Sequence, residues 1–171
     1  MPARPPDFDA AYFRGTLGRF ATGVTVVTAC LPGGDPVGLT VSSFNSVSLD
    51  PPLVLWSLSR ASTSLPVFEN CERYVIHVLA AGQQELALRF ARGSWPERFA
   101  GLNMARAPGG TPMLDAPVAA WFECHNRSRY PEGDHIILVG QVERCAHSDA
   151  PPLLYHAGGF DLTPWPPQAA S

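Results

Sequence analysis

The sequence predicts a mainly β fold, a closed antiparallel barrel with a few short helices packed outside it. Short segments rich in β-branched and apolar residues recur along the 171 residues, separated by turns rich in glycine and proline. Helical spacing of apolar residues is confined to short stretches. Strands and helices do not alternate along the chain, which disfavours a doubly wound parallel sheet.

A short helix is expected near the amino terminus. Phe13, Leu17 and Phe20 recur at the i, i+4, i+7 spacing of one helical face. Asp9 is the expected N-cap, and Gly23 is expected to end the helix.

The middle of the chain contains the clearest strand patterns. Residues 24–30 and 37–41 have strand composition and are joined by a turn over 32–35, which predicts a hairpin. Residues 53–56 predict a short buried strand, and residues 74–79 predict another.

The second half predicts fewer regular elements. A short helix is expected over residues 85–91, followed by a long loop over 93–116 with a helical turn near Glu97. Two further strands are expected over residues 118–124 and 135–144.

Length and composition indicate one domain over residues 1–171, with extended tails at 1–8 and 163–171. The hydrophobic share of 46% is enough for a folded core. The net charge of −3, with scattered bases, argues against nucleic acid as the main partner.

Several other classes of protein are disfavoured. The sequence contains neither a secretory signal nor an apolar stretch of membrane-spanning length, so the prediction is a cytoplasmic protein without a membrane partner. No cysteine pair has C-x-x-C spacing, and no metal site is predicted. The G-x-G-x-x-G fingerprint of dinucleotide-binding sheets is absent as well.

Small hydroxyl residues are concentrated where the second strand of the predicted hairpin ends. Thr40, Val41, Ser42, Ser43 and Ser46 lie in this run. Small residues allow a planar ligand to approach the backbone, and fixed donors there can meet charge that develops on a ring. The same residues are also typical of ordinary turns, and both interpretations remain open.

A second hydroxyl cluster precedes Leu65-Pro66 and includes Ser57, Arg60, Ser62 and Ser64. Hydroxyls and one arginine at a helix start are typical of a phosphate site. A capped surface helix explains one or two of these serines equally well.

A third candidate is His135, which follows Gly133-Asp134 at the start of a strand. A histidine in this position can contact a nicotinamide or donate a proton. It can also merely end a turn.

Taken together, these segments closely resemble the family of flavin reductases with the FMN-binding split-barrel fold, the small reductase components of two-component flavin-dependent monooxygenases. The resemblance runs from about residue 8 to about residue 160, and the order and spacing of its motifs make it specific. The segments that carry it are 13–28, 38–55, 78–91, 133–140 and 152–156.

The resemblance implies a six-stranded antiparallel Greek-key split barrel that forms a homodimer with flavin near the interface. It implies that FMN or FAD is reduced by NADH or NADPH and supplied to a partner monooxygenase. By the same resemblance, Thr40, Val41, Ser42 and Ser43 line the isoalloxazine, with Ser46 close by. Ser57, Arg60, Ser62 and Ser64 hold the ribityl phosphate, helped by Phe90 and Ala91. His135 faces the nicotinamide.

Other functions remain open from the sequence. The alternatives are a flavoenzyme on the same barrel that keeps its flavin, such as an oxygenase, and a non-enzymatic flavin- or haem-binding protein. A barrel without a ligand is the alternative if the hydroxyl clusters are ordinary turns. The Gly133-Asp134-His135 motif favours the reductase. A pocket for the 2′-phosphate of NADPH requires a placed arginine, for which Arg127, Arg129 and Arg144 are candidates.

Overall fold

The computed structural model describes residues 4–161 and has a mainly β fold with few helices. The helices of this part of the chain are α1 (Ala10–Leu17), α2 (Leu65–Asn70), α3 (Gln84–Ala91) and α4 (Trp95–Phe99). The strands are β1 (Thr22–Gly23), β2 (Thr25–Cys30), β3 (Pro36–Val41), β4 (Asn45–Leu49), β5 (Pro52–Ser59), β6 (Arg73–Val78), β7 (Met104–Arg106), β8 (Pro112–Leu114), β9 (Ala120–Glu132), β10 (His135–His147), β11 (Leu154–His156) and β12 (Gly159–Asp161).

The main sheet is antiparallel and has seven strands in the order β3-β2-β6-β9-β10-β5-β4. The predicted number of six strands is wrong, because Asn45–Leu49 pairs with β5 as an edge strand. The predicted closure is also not found, since no ladder joins the edge strands β3 and β4 within residues 4–161. The chain leaves the sheet after Val41, and the side chain of Ser43 reaches across to β5.

Several predicted elements are confirmed. The hairpin over 24–30 and 37–41 is formed by β2 and β3, and the strand over 74–79 is β6. The short strand over 53–56 belongs to the eight-residue β5, and the helix over 85–91 is α3.

Other elements are longer or more numerous than predicted. The strands β9 and β10 each span 13 residues, because their hairpin continues beyond the core with polar residues. The predicted loop over 93–116 contains α4, the turn expected near Glu97. It also contains the short hairpin β7–β8, which was not predicted.

The amino-terminal helix begins as predicted and ends earlier. Asp9 is the N-cap, and its carboxylate accepts from the Tyr12 N–H at 2.8 Å. Gly18, not Gly23, is the C-cap, because the Thr22–Gly23 strand pairs with β11 in a three-stranded sheet with β12.

The apolar face predicted for this helix is exposed. Phe13 retains 47% of its accessible surface and Leu17 retains 57%. The predicted tail over 163–171 lies outside the described residues. No helix within residues 4–161 is long and apolar enough to cross a bilayer.

Two buried clusters make the core. In the first, Trp56 is fully buried and packs edge-to-face on Phe68, with ring centroids 5.1 Å apart. In the second, Phe90 of α3 packs edge-to-face on Phe99 of α4. Gly38 of β3 makes room for these two rings, since a Cβ there would lie 3.0 Å from Phe90 and 3.1 Å from Phe99. This packing holds α3 and α4 against β3.

Candidate active site

Three cavities share lining residues at the end of β3. The strand cavity, about 270 Å³, lies between residues 39–43, residues 57–59 and His135. The α3 cavity, about 350 Å³, lies between the end of α3 and the β11–β12 hairpin. The α1 cavity, about 630 Å³, lies between α1 and the same hairpin. Ser42 lines all three and Thr40 lines two, so the cavities adjoin one another around the end of β3, and together they are called the groove.

Some polar groups at the end of β3 are hydrogen-bonded within the protein, and others are available to a ligand. The Thr40 hydroxyl donates to the Ala87 carbonyl at 2.6 Å and thereby ties β3 to α3. Val41 is buried. Ser42 and Ser43 are exposed, and their backbone N–H groups have no acceptor within residues 4–161. Two neighbouring residues that line the groove therefore have backbone donors without an acceptor in the described part of the chain.

Ser43 also joins two parts of the sheet. Its hydroxyl accepts from the Ser57 N–H at 2.8 Å and donates to the Ser57 carbonyl at 3.1 Å. Residue 43 follows β3 and residue 57 lies in β5, so one side chain bridges strands that are five positions apart in the sheet order. Both residues line the strand cavity.

His135 is placed at the mouth of the strand cavity by the β9–β10 hairpin. Gly133 has φ of +59°, which fits the first central position of a two-residue type II′ turn. His135 Nδ1 lies 2.7 Å from the Asp134 carboxylate. A carboxylate accepts only, so Nδ1 carries the proton and Nε2 is left for a ligand. The hydrogen bond from His135 lowers the pKa of Asp134.

The second hydroxyl cluster lies beside this turn. The Arg60 N–H donates to the Asp134 carbonyl at 2.9 Å, and the Ser62 hydroxyl accepts from the Ser64 N–H at 3.2 Å. Ser64 is the residue before α2, but it is buried and accepts from the Trp95 indole N–H at 3.1 Å. The cluster is thus adjacent to the groove, with the Arg60 side chain exposed.

The structure brings only part of the predicted set to the groove lining. Thr40, Val41, Ser42, Ser43, Ser57, Ala91 and His135 line the cavities. The others lie outside the lining: Ser46 on β4, Arg60 and Ser62 in the loop after β5, and the buried Ser64 and Phe90. Arg127, Arg129 and Arg144 are on β9 and β10 and line none of the three cavities.

Sequence reasoning missed several lining residues. Arg92 lines the α3 cavity directly after the predicted Ala91, and its position next to that residue was an available signal. Tyr155 and Phe160, whose rings pack 5.5 Å apart, also line this cavity. They come from a hairpin more than 100 residues away from β3 in the chain, so no local pattern connects them with it.

Comparisons with known proteins identify relatives of this chain. The profile of the flavin reductase like domain family matches residues 17–163. The chain is 47% identical over 148 residues to the FMN reductase (NADH) SmoA of Agrobacterium fabrum, covering 86% of this chain and 83% of that protein.

Solved structures agree in fold. The NADH:FAD oxidoreductase SgcE6 of Streptomyces globisporus C-1027, in complex with NAD and FAD fragments, superposes with a TM-score of 0.85 at 32% identity, covering 95% of this chain and 96% of that chain. BorF, the flavin reductase component of a bacterial two-component tryptophan halogenase, superposes with a TM-score of 0.81 at 37% identity, covering 90% and 97%.

Proposed function

Because this chain belongs to the family of flavin reductase like domains, we propose that it is an NAD(P)H:flavin oxidoreductase of FMN or FAD. One observation carries the proposal: Ser42 and Ser43, whose N–H groups have no acceptor within residues 4–161, line one cavity with His135. Relatives are named for both flavins, FMN in SmoA and FAD in SgcE6, and both are named for NADH.

The residues of the groove fit a flavin. A flavin ring carries carbonyl oxygens and ring nitrogens that accept hydrogen bonds, and the groove offers donors at Ser42 and Ser43. Side chains there are small and allow close approach of a planar ring. Two exposed arginines flank the groove, Arg60 near His135 and Arg92 in the α3 cavity. The positive charge of either arginine would complement the negative charge of a phosphate.

We assign the ribityl phosphate to the end of β5 and the loop after it, where Ser57, Arg60 and Ser62 supply hydroxyls and a cation. Ser64 acts indirectly in this proposal, because its bond to Trp95 shapes the loop. Phe90 likewise acts through packing, which places Ala91 at the groove. Ser46 lies on the neighbouring edge strand and borders the site.

The chain contributes position and electrostatics to the reaction. When bound, the flavin supplies the acceptor of the hydride. The N–H groups of Ser42 and Ser43 would stabilise negative charge that develops on the ring as the hydride arrives. His135, oriented by Asp134, would hold the nicotinamide with Nε2, so that geometry supplies much of the rate.

The remaining parts of the proposal concern assembly. We propose a cytoplasmic homodimer that supplies reduced flavin to a partner monooxygenase. Exposed apolar side chains support a second copy: Phe13 and Leu17 on α1, and Leu49 on β4 with 95% of its surface accessible. BorF, a reductase component by name, supports the transfer of reduced flavin.

Oxidation of NADH, followed at 340 nm with and without added FMN or FAD, tests the proposal. We expect oxidation that depends on added flavin, and the ratio of kcat/KM for FMN and FAD then identifies the preferred flavin. Repeating the assay with NADPH identifies the preferred nicotinamide. An absence of oxidation with all four combinations would refute the reductase function.

A further inference from the structure

The short helix α4 lies outside the groove but contacts the segments that surround it. None of the residues of α4 (Trp95–Phe99) lines any of the three cavities. Its start is fixed by Glu97, whose carboxylate accepts from the Ser94 N–H at 2.7 Å. A helix of five residues is too short to be stable alone, so contacts with the rest of the protein hold it in place. Trp95 and Arg98 make hydrogen bonds of this kind.

Trp95 joins α4 to the loop after β5. Its indole N–H donates to the hydroxyl of Ser64, which is buried, at 3.1 Å. The Ser64 N–H in turn donates to the Ser62 hydroxyl at 3.2 Å. The Trp95 ring also packs against the core cluster that contains Trp56 and Phe68, which fixes the direction of its N–H. Because Ser62 belongs to the proposed phosphate site, Trp95 is connected to that site through one buried serine.

Arg98 joins α4 to β3 and to the end of α3. Its Nη1 donates to the Gly38 carbonyl at 2.7 Å, and its Nε donates to the Arg92 carbonyl at 3.1 Å. Within residues 4–161 no carboxylate pairs with this guanidinium, so its partners there are backbone carbonyls. In the same part of the chain, β3 is an edge strand that pairs with β2 alone. Arg98 therefore gives a second attachment to the strand that leads to Ser42 and Ser43.

The two side chains of α4 reach different parts of the proposed flavin site. We propose that both are positioning residues: Trp95 holds the loop that binds the flavin phosphate, and Arg98 holds the end of β3 that binds the flavin ring. This inference rests on the proposed function and deepens it, because both residues act through others and neither touches the flavin. Loss of each contact should therefore weaken a different part of flavin binding, whereas a general loss of structure would weaken all of it.

Riboflavin, which lacks the phosphate of FMN, separates the two roles. Fluorescence titration gives the Kd of FMN and of riboflavin for the wild type, W95F, R98A and R98K. We expect W95F to raise the Kd for FMN about fivefold and to leave that for riboflavin unchanged, because one hydrogen bond behind the phosphate loop is lost. R98A should raise both values about tenfold, because the ring donors serve both flavins and two charge-assisted bonds are lost. R98K should recover part of the affinity.

Two matched controls lie away from the groove. W121F makes the same replacement on β9, and R106A removes an arginine of β7 that also donates to a backbone carbonyl, that of Gly110 at 2.8 Å. Neither residue lines any of the three cavities, so both variants should bind FMN and riboflavin as the wild type does. Circular dichroism and thermal melting identify the folded variants. If R98A does not fold, R98K takes its place, with a smaller rise expected for both flavins.

The role of Trp95 is overturned if W95F changes the Kd values for FMN and riboflavin equally, or changes neither. The role of Arg98 is overturned if its folded variants bind both flavins like the wild type, or lose affinity for FMN alone. These titrations do not depend on turnover. A wild type that binds neither flavin would refute the flavin site and this inference together. A protein that shows the selective pattern but oxidises no NADH would refute the reductase proposal alone.

Discussion

The groove and the region beneath the β7–β8 hairpin both contain polar side chains, but they use them in opposite ways. Beneath the hairpin, His77 and Glu123 are fully buried. His77 Nδ1 contacts the Val26 carbonyl at 2.9 Å, and its Nε2 accepts from the Leu114 N–H at 3.1 Å. Glu123 accepts from the Gly109 N–H at 2.8 Å and the Thr111 hydroxyl at 2.9 Å. In the groove, Ser42, Ser43 and His135 retain donors or acceptors that have no partner within residues 4–161.

This difference shows that the environment of a polar residue decides its role more than its type or its pKa. Burial lowers the pKa of His77 to about 4, a perturbation often associated with active sites. Both of its ring nitrogens are nevertheless occupied by backbone groups, so it holds β2, β6 and β8 together. His135 is partly exposed and has one nitrogen left for a ligand.

The largest expected effect comes from the buried region. Unfolding returns the pKa of His77 from about 4 to 6.5, so the unfolded state binds more protons between these values. The stabilisation linked to this group is complete above pH 6.5 and is lost as the pH falls toward 4. The loss should be about 3 kcal/mol of the free energy of unfolding. Urea unfolding at several pH values measures it.

H77Q is the matched variant, because glutamine can donate and accept without titrating. We expect its stability to depend less on pH than that of the wild type between pH 6.5 and 4, although it is less stable at pH 7.5. Equal pH dependence in the two proteins would show that His77 is not the group responsible.

The next effect concerns catalysis. H135A should lower kcat/KM for NADH about a hundredfold, the lower range for a positioned acid, base or polar contact. Flavin binding, measured by fluorescence titration, should remain intact, and the melting temperature should change little because the side chain is 45% exposed. Steady-state oxidation of NADH at saturating flavin provides the measurement.

H125A is the control for this variant, since His125 is exposed on β9 and lines none of the three cavities. Its kcat/KM should equal that of the wild type. Wild-type activity in H135A would remove the role assigned to His135 and leave the groove without a contact for the nicotinamide.

The strands that were predicted correctly are those whose side chains are buried in the core. The β2, β5 and β6 strands are rich in Val, Ile and Leu because they are buried on at least one face. The polar edge strand β4 and the three-residue strands β7 and β8 lack such a pattern. These strands form because their backbones pair with a neighbouring strand, and no local sequence pattern indicates that pairing. This is why the predicted sheet had six strands and not seven.

The same distinction applies to the site. Residues 40–43 and His135, which line the strand cavity, could be named as candidates because each lies in a compact local motif. Tyr155 and Arg14 lie at opposite ends of the chain, and the pairing of β1 with β11 brings these ends together. Local sequence also could not show that the Thr40 hydroxyl is used by Ala87, since that contact depends on where α3 packs.

The smallest expected effect concerns Ser43, which combines a hydrogen-bonded side chain with an available backbone donor. Its hydroxyl is saturated by Ser57, as in the buried region, whereas its N–H is available, as in the groove. S43A removes only the hydroxyl and should lower the free energy of unfolding by about 1 kcal/mol. Because both bridged residues line the strand cavity, the Kd for FMN should also rise a few-fold. T63A, at an exposed hydroxyl in the loop after β5, is the control for stability. If S43A weakens FMN binding without any loss of stability, the hydroxyl serves the ligand directly and the bridge to Ser57 is not what shapes the groove.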